Sequence, residues 1–401
     1  MGPIEPSERI AAVDVLRGIA IFGIFIVNLQ MFNGPMSLFM VNPHYWLWPP
    51  DDVAMIVIQT VFQGKFYTMF SFLFGLGLAI QLSRAEARGA RFAALYSRRL
   101  LVLLAIGTLH AFLVWYGDIL MTYAVFGFVL MLFRTRSEKA ILVWMLALLV
   151  FPLLLFGSWV TVTQLHVIPD ESAKMLNDMR ASVVDAFKVY PNGSWTEIFI
   201  RRAKDVADIW RGTGYFGAHI LAMFLIGLYA GRRRVLESVD GNPDFIRRVR
   251  NWTLIPGVIG SIYSTWAGRV STPMLPTWFN LGSTLSFIAG NTCLSLFYMS
   301  VIVLMCRDER WRTRLARIAS AGRMALSNYL FQSLLMTTLL YSYGLKLYGK
   351  ISPAIGFVLV ILVYRIQMRA SHWWLKRFRF GPAEWLWRSL TYRQWQRMRE
   401  A

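Results

Sequence analysis

The sequence predicts an all-α, polytopic membrane protein of about ten transmembrane helices, with both termini in the cytoplasm and a helical insert on the outside. Three observations carry this expectation. Of 401 residues, 56% are hydrophobic and 16% charged, and the mean hydropathy is +0.46, values outside the range of a soluble domain of that length. The apolar residues gather into runs long enough to cross a hydrocarbon layer of ~30 Å. The bases then concentrate in alternate connections between those runs, which is how cytoplasmic loops are marked.

The first run, 15–32, contains Arg17 and follows acidic residues, so it reads as a retained span and not as a cleavable signal peptide. The second, 53–82, would measure ~45 Å as one helix, which exceeds the hydrocarbon thickness and calls for a tilt or a break. Gln63-Gly64-Lys65 is the natural breaking point. Lys65 then either projects into a cavity from the outer half or, with 53–62 lying on the outer surface, snorkels to the interface. Phe74-Gly75-Leu76-Gly77 further along is read as a site of close helix packing and not as a nucleotide loop.

Runs 100–116 and 119–133 are joined at Tyr116-Gly117-Asp118, residues suited to a tight turn at an aqueous boundary. A fifth run, 140–165, precedes a polar stretch of mixed charge, 166–215. Segments 171–189 and 196–211 there read as surface helices parted by Pro191-Asn192-Gly193. Runs 216–230, 252–267, 279–305, 324–343 and 353–368 complete the set. The organisation expected is an N-terminal membrane half (1–165), an extracytoplasmic insert (166–215) and a C-terminal membrane half with a basic, aromatic tail (216–401).

The formal net charge is +20, but its distribution is topological. Arg84, Arg88, Arg91, Arg98 and Arg99 fall in one loop; Arg134, Arg136 and Lys139 in the next; Arg232 to Arg234 with Arg247, Arg248 and Arg250 in a third; Arg307 to Arg317 in a fourth. The intervening short loops hold isolated bases such as Arg269, Lys346 and Lys350. No nucleic-acid partner is expected from this pattern. Cys293 and Cys306 lack metal-site spacing and read as packing residues, so no metal is expected. The tail after residue 368 alternates bases with tryptophans, which suits helices resting on the inner headgroups and also suits a partner site. Membrane lipids are the expected surroundings, and a homo-oligomer is compatible with the composition.

The side chain that organises the reading is His110. If the third run enters the bilayer near Leu100, a rise of ~1.5 Å per residue puts this imidazole roughly 15 Å down, where an ionisable group should face protein or a cavity. It is either a structural histidine or a general base or acyl carrier, since a neutral imidazole accepts a proton near pH 7. Asp118 could orient it, but eight residues of straight helix span ~12 Å, so a relay through water or another helix is expected. His44, in an aromatic outer loop, is the second candidate and His219 the third. Asp14 and Arg17 share a face at the inner end of the first helix, as an ion pair or as a site for an anionic head group; Asn28 lies towards its outer end.

Several stretches together resemble the YeiB-like family of bacterial inner-membrane proteins, whose C-terminal half is a named domain of unknown function: RIAAVDVLRGIA at 9–20, KFYTMFSFLFGLGL at 65–78, 98–120 with its LHA and YGDIL, GRMALSNYLFQSLL at 322–335 and RFGPAEWLWRSLTY at 379–392. More distantly, DVLRGIA is similar to the first helix of transmembrane acyltransferases, among them the lysosomal heparan-glucosamine enzyme and the bacterial cell-surface sugar O-acyltransferases. That resemblance implies transfer of an acyl group from cytoplasmic acyl-CoA, as donor substrate, to a lipid, glycan or small-metabolite acceptor at the outer face. Arg17, Arg98 and Arg99 would meet the donor phosphates, His110 or His44 would serve transfer, and Asp118 and Lys65 would lie near the acceptor. In the sugar O-acyltransferase branch a histidine follows the arginine by eleven positions; here that place is Asn28, whose amide cannot act as a base. The alternative expectation is a transporter or exporter of a small organic molecule.

Overall fold

The computed structural model describes residues 11–42, 44–87, 92–166, 171–236, 243–273 and 275–399. Arg9 of the opening motif and Arg88 and Arg91 of the first basic loop lie outside the described residues. All regular structure among the described residues is helical.

Helix α1 (Ala11–Asn33) is the central post of the bundle. Of its most apolar window 61% is buried, against 17% for α7 (Glu138–Gln164) at the periphery, so α1 packs on protein along most of its length while α7 leaves an apolar face outward. After the short α2 (Leu38–Val41), α3 (Pro49–Val57) starts with proline in its first turn and Asp51 and Asp52 near its positive end. It passes into a π turn at Ile58–Phe62 and stops at Gln63-Gly64, where Gly64 has a φ of +86°. Helix α4 (Lys65–Ala87) begins immediately afterwards. The break therefore falls where the excess length called for one. Lys65 is only 1% exposed, which removes the snorkelling alternative.

Helix α5 (Phe92–Leu113) and the short α6 (Leu120–Met131) form a hairpin. Helix α7 is started by Ser137, whose hydroxyl accepts from the Ala140 amide. The stretch expected as the insert, 166–215, falls in α8 (Ser172–Asn192) and the first half of α9 (Trp195–Arg232), which follows Gly193 and runs on through the sixth apolar run. A reciprocal Ser194–Glu197 cap opens α9. That helix then bends by 62° between Trp195–Gly214 and Phe216–Arg232. Its second half packs on α4 so closely that a Cβ on Gly75 would meet the Phe224 carbonyl at 1.9 Å. The Phe-Gly-Leu-Gly stretch thus serves helix contact.

Helices α10 (Pro243–Val270) and α11 (Trp278–Met305) pair with each other, and the amphipathic α12 (Glu309–Arg323) leads into α13 (Ala325–Leu340), α14 (Pro353–Leu375) and α15 (Pro382–Tyr392). Each expected apolar run is mostly helical, the third stopping at Leu113 and the ninth at Leu340. Six described helices are long and apolar enough to cross a membrane, and a seventh if the bent α9 counts as one span. Helices α6 and α13, at 12 and 16 residues, are shorter than a bilayer-crossing span. The chain is a helical membrane protein.

The tail docks on the bundle through α15. The Trp387 indole donates to the Arg99 carbonyl and Arg98 donates to the Thr391 carbonyl. Glu384 accepts from the Leu326 and Ser327 amides and from the Ser327 hydroxyl, so α15 caps the N-terminus of α13. Burial pushes the Glu384 carboxyl above the usual range for glutamate, against the pull of these hydrogen bonds.

Candidate functional site

Helix α5 ends at Leu113 with the amides of Val114 and Trp115 both closing on the His110 carbonyl. The chain then reverses through Trp115, Tyr116 and Gly117 and enters α6. Asp118 starts that helix, its Oδ1 accepting from the Met121 amide at 2.7 Å. The reversal carries Asp118 back along α5 until its Oδ2 lies 2.7 Å from His110 Nδ1. The return is close because residue 107 is glycine: a Cβ there would meet the Met121 amide nitrogen at 2.5 Å and Asp118 Oδ1 at 3.0 Å.

This corrects the expectation of an indirect relay between His110 and Asp118. The ~12 Å figure assumed that the helix continues to residue 118, whereas it stops five residues earlier and folds back. Both side chains are buried, at 2% and 1% exposure. Opposite a carboxylate, Nδ1 carries the proton and donates it, so the other ring nitrogen presents a lone pair. Nε2 is enclosed and makes no hydrogen bond among the described residues.

Aromatic rings hold the hairpin tip. Trp115 stacks on Phe32 of α1 with centroids 3.9 Å apart, and the Tyr116 hydroxyl donates to the Met31 carbonyl at 2.9 Å. Tyr329 of α13 lies with its ring centroid 5.2 Å from the imidazole, and Trp115 stands edge-on at 6.5 Å. From the insert, Arg202 donates to the Phe112 carbonyl at 2.9 Å, pinning the last turn of α5 from outside.

The other expected site residues are dispersed. Arg17 pairs with Asp14 at 3.6 Å. Arg99 lies over the Trp387 ring at 3.8 Å and within electrostatic range of Arg17. Arg98 is held by the tail. Helix α15 thus engages Arg98 and Arg99, and Arg99 alone is shown near Arg17. Lys65 donates to the Gln59 carbonyl at 3.2 Å, at the base of the π turn. Asn28 is half-buried on α1. His44 is exposed and faces Arg269, which also pairs with Asp52, so it is not brought to His110. His219 is buried with both nitrogens used, Nδ1 by the Tyr67 hydroxyl at 2.9 Å and Nε2 by the Thr292 hydroxyl at 3.0 Å. Among the described residues no cluster of three or more His, Cys, Asp or Glu could hold a metal ion.

Sequence reasoning missed Tyr329 and Arg202. Tyr329 sits in an apolar run where nothing marks one tyrosine from its neighbours. Arg202 belongs to a segment of mixed charge that reads as solvated surface.

The fold and site define a helical membrane protein with a buried histidine–aspartate pair at the tip of a hairpin. Over nearly its whole length the chain is similar to proteins from bacteria. It is 37% identical to "Uncharacterized protein YxaH" of Bacillus subtilis (strain 168), covering 98% of this chain and 97% of the relative. It is 30% identical to "Uncharacterized protein YeiB" of Escherichia coli (strain K12), over 96% and 97% respectively. A protein of Bacillus acidopullulyticus, "Uncharacterized 39.9 kDa protein in amylase 3'region", is 28% identical over 98% of this chain. The profile described as "Protein of unknown function (DUF418)" matches residues 230–394. The chain belongs to the YeiB-like family. The profile match takes in Tyr329 and Glu384, while His110 and Asp118 lie in the N-terminal part that the full-length relatives share.

Proposed function

We propose that this protein is a membrane-embedded acyltransferase of the bacterial inner membrane. In this reading it moves an acyl group from cytoplasmic acyl-CoA to a lipid, glycan or small-metabolite acceptor at the outer face. Both termini lie inside, about ten helical segments enter the bilayer, and residues 166–215 form the outer insert between two membrane halves. The single observation that supports transfer is His110: one nitrogen is held by a carboxylate, and the other is enclosed without a hydrogen-bond partner among the described residues.

In this chemistry Nε2 takes the proton of an acceptor hydroxyl or amine as the acceptor's oxygen or nitrogen attacks the thioester carbonyl. The C–S bond breaks, and the proton passes from the imidazolium to the departing thiolate. The products are an ester or amide and the free thiol of CoA. Asp118 steadies the imidazolium between the two proton transfers. The nearness of Arg99 to Arg17 supports a donor site for the CoA phosphates made by Arg17, Arg98 and Arg99, reached when α15 yields the guanidinium groups it holds. Because the ring is enclosed, reactants reach Nε2 when the aromatic wall parts, and Tyr329 is the side chain placed to move.

Purified protein given acetyl-CoA or longer acyl-CoAs with candidate acceptors tests this by thiol release. Release that disappears in His110→Ala supports transfer. The alternative, transport of a small organic molecule, is supported by the broken second span, with Lys65 buried beside it. Substrate-dependent uptake into vesicles without thiol release favours that alternative.

A further inference from the structure

Two arginines stand side by side in the outer insert, and their surroundings differ. Arg201 is fully engaged: its guanidinium binds Asp205 at 2.8 and 3.1 Å, Asp185 at 2.7 Å and the Ser182 hydroxyl at 2.8 Å. Arg202 is 0% exposed and has no carboxylate partner among the described residues. One nitrogen, Nη1, reaches the neutral carbonyl of Phe112. Nε and Nη2 are buried without a well-formed hydrogen bond among the described residues, and what lies within reach of the guanidinium there is a neutral group, the Tyr343 hydroxyl. The rings of Trp195 and Tyr341 face the guanidinium at 5.9 and 6.0 Å. The Tyr341 and Tyr348 hydroxyls are likewise buried without a hydrogen-bond partner among these residues.

A guanidinium keeps its charge at any physiological pH, and burying it uncompensated is costly. Cation–π contact at these distances offsets part of that cost and leaves the two donors unused. The Nε–Nη2 edge is the face of arginine that matches two oxygens of one phosphate or carboxylate. Trp195 and Tyr343, 54% and 40% exposed, lie against each other at the rim, their rings tilted by 59° with centroids 5.2 Å apart.

We propose that Arg202 anchors a binding site for an oxyanion, a phosphate or carboxylate group of a ligand that enters beneath Trp195 and Tyr343. The ligand's negative charge supplies the counter-ion that the fold omits. The site stands on charge and geometry alone and does not depend on acyl transfer. Since Nη1 ties it to the last turn of α5, an occupant also braces the hairpin that carries His110.

The test is thermal unfolding of the full chain in neutral detergent, titrated separately with inorganic phosphate, glycerol phosphate, acetate, phosphatidylglycerol and phosphatidylcholine. At least one anionic probe should raise the Tm of the wild type by about 3 °C or more, phosphatidylcholine should not, and Arg202→Gln should abolish the rise. Arg202→Lys, which keeps the charge and loses the two-donor edge, should weaken binding about tenfold. A response to inorganic or glycerol phosphate or to acetate identifies a soluble ligand; a response confined to phosphatidylglycerol identifies a lipid headgroup. Failure of every anionic probe to shift the wild type overturns the proposal, whether or not the variants fold. An unchanged shift in Arg202→Gln overturns it as well.

Discussion

Two histidines are buried in this bundle, and their partners differ. His219 has a hydroxyl on each nitrogen, from Tyr67 and Thr292, so either neutral tautomer is satisfied and nothing is left to react. His110 has a carboxylate on one nitrogen and no hydrogen-bond partner among the described residues on the other. The first arrangement holds α4, α9 and α11 together. The second fixes the tautomer of a neutral ring, with the proton on Nδ1 and the lone pair on Nε2. Burial alone therefore does not mark a functional histidine; an acid on one side and an unfilled position on the other do.

Substitution at the two rings should separate these roles most sharply. His110→Ala is expected to lower acyl-transfer turnover by at least about 10²-fold, whereas His219→Ala should leave the turnover of correctly folded protein unchanged. The latter should instead lose about 1–3 kcal/mol of stability, because the Tyr67 and Thr292 hydroxyls lose their shared partner. Denaturation followed beside turnover distinguishes the two. Asp118→Asn should cost about as much activity as His110→Ala, since an amide no longer fixes the proton on Nδ1. Its effect on stability should be about 1 kcal/mol, because the remaining oxygen can still cap α6.

Smaller effects probe how the hairpin and tail are held. Gly107→Ala places a methyl group against the Met121 amide and Asp118 and should destabilise the fold by about 1–3 kcal/mol, read as a lower Tm. Glu384→Ala should cost about 1–2 kcal/mol by stripping the cap from α13. The Glu384 carboxyl is raised in the folded protein, so its contribution to tail docking is fully present below the ordinary glutamate range and is lost as pH rises through the raised value. Proteolysis of the tail should accelerate over that interval, and Glu384→Gln should flatten the dependence.

Much of the architecture was legible in the residues. Hydrophobic runs gave the helices, the excess length of the second run gave a break at Gln63-Gly64, and Gly193 marked the join between α8 and α9, although Pro191 and Asn192 stay inside α8. His110 and Asp118 were legible as residue types at depth. Their contact was not: Gly117 announced a turn, but the chain stays apolar through Trp115, so nothing marked that α5 ends as early as Leu113. The reversal is set by tertiary anchors, Trp115 on Phe32 and Tyr116 on the Met31 carbonyl, that belong to a different helix. Arg202 and the docking of α15 were hidden for the same reason. A charge in a mixed segment reads as solvated until the fold encloses it, and a basic aromatic tail reads as interfacial until Glu384 is seen capping α13.

The most direct measurement of the account is single-turnover release of thiol from acyl-CoA by the protein in lipid nanodiscs, with His110→Ala and His219→Ala run in parallel. The account predicts release by the wild type and by His219→Ala, and none by His110→Ala. Release undiminished in His110→Ala, or no release by the wild type with any acyl length, would contradict it.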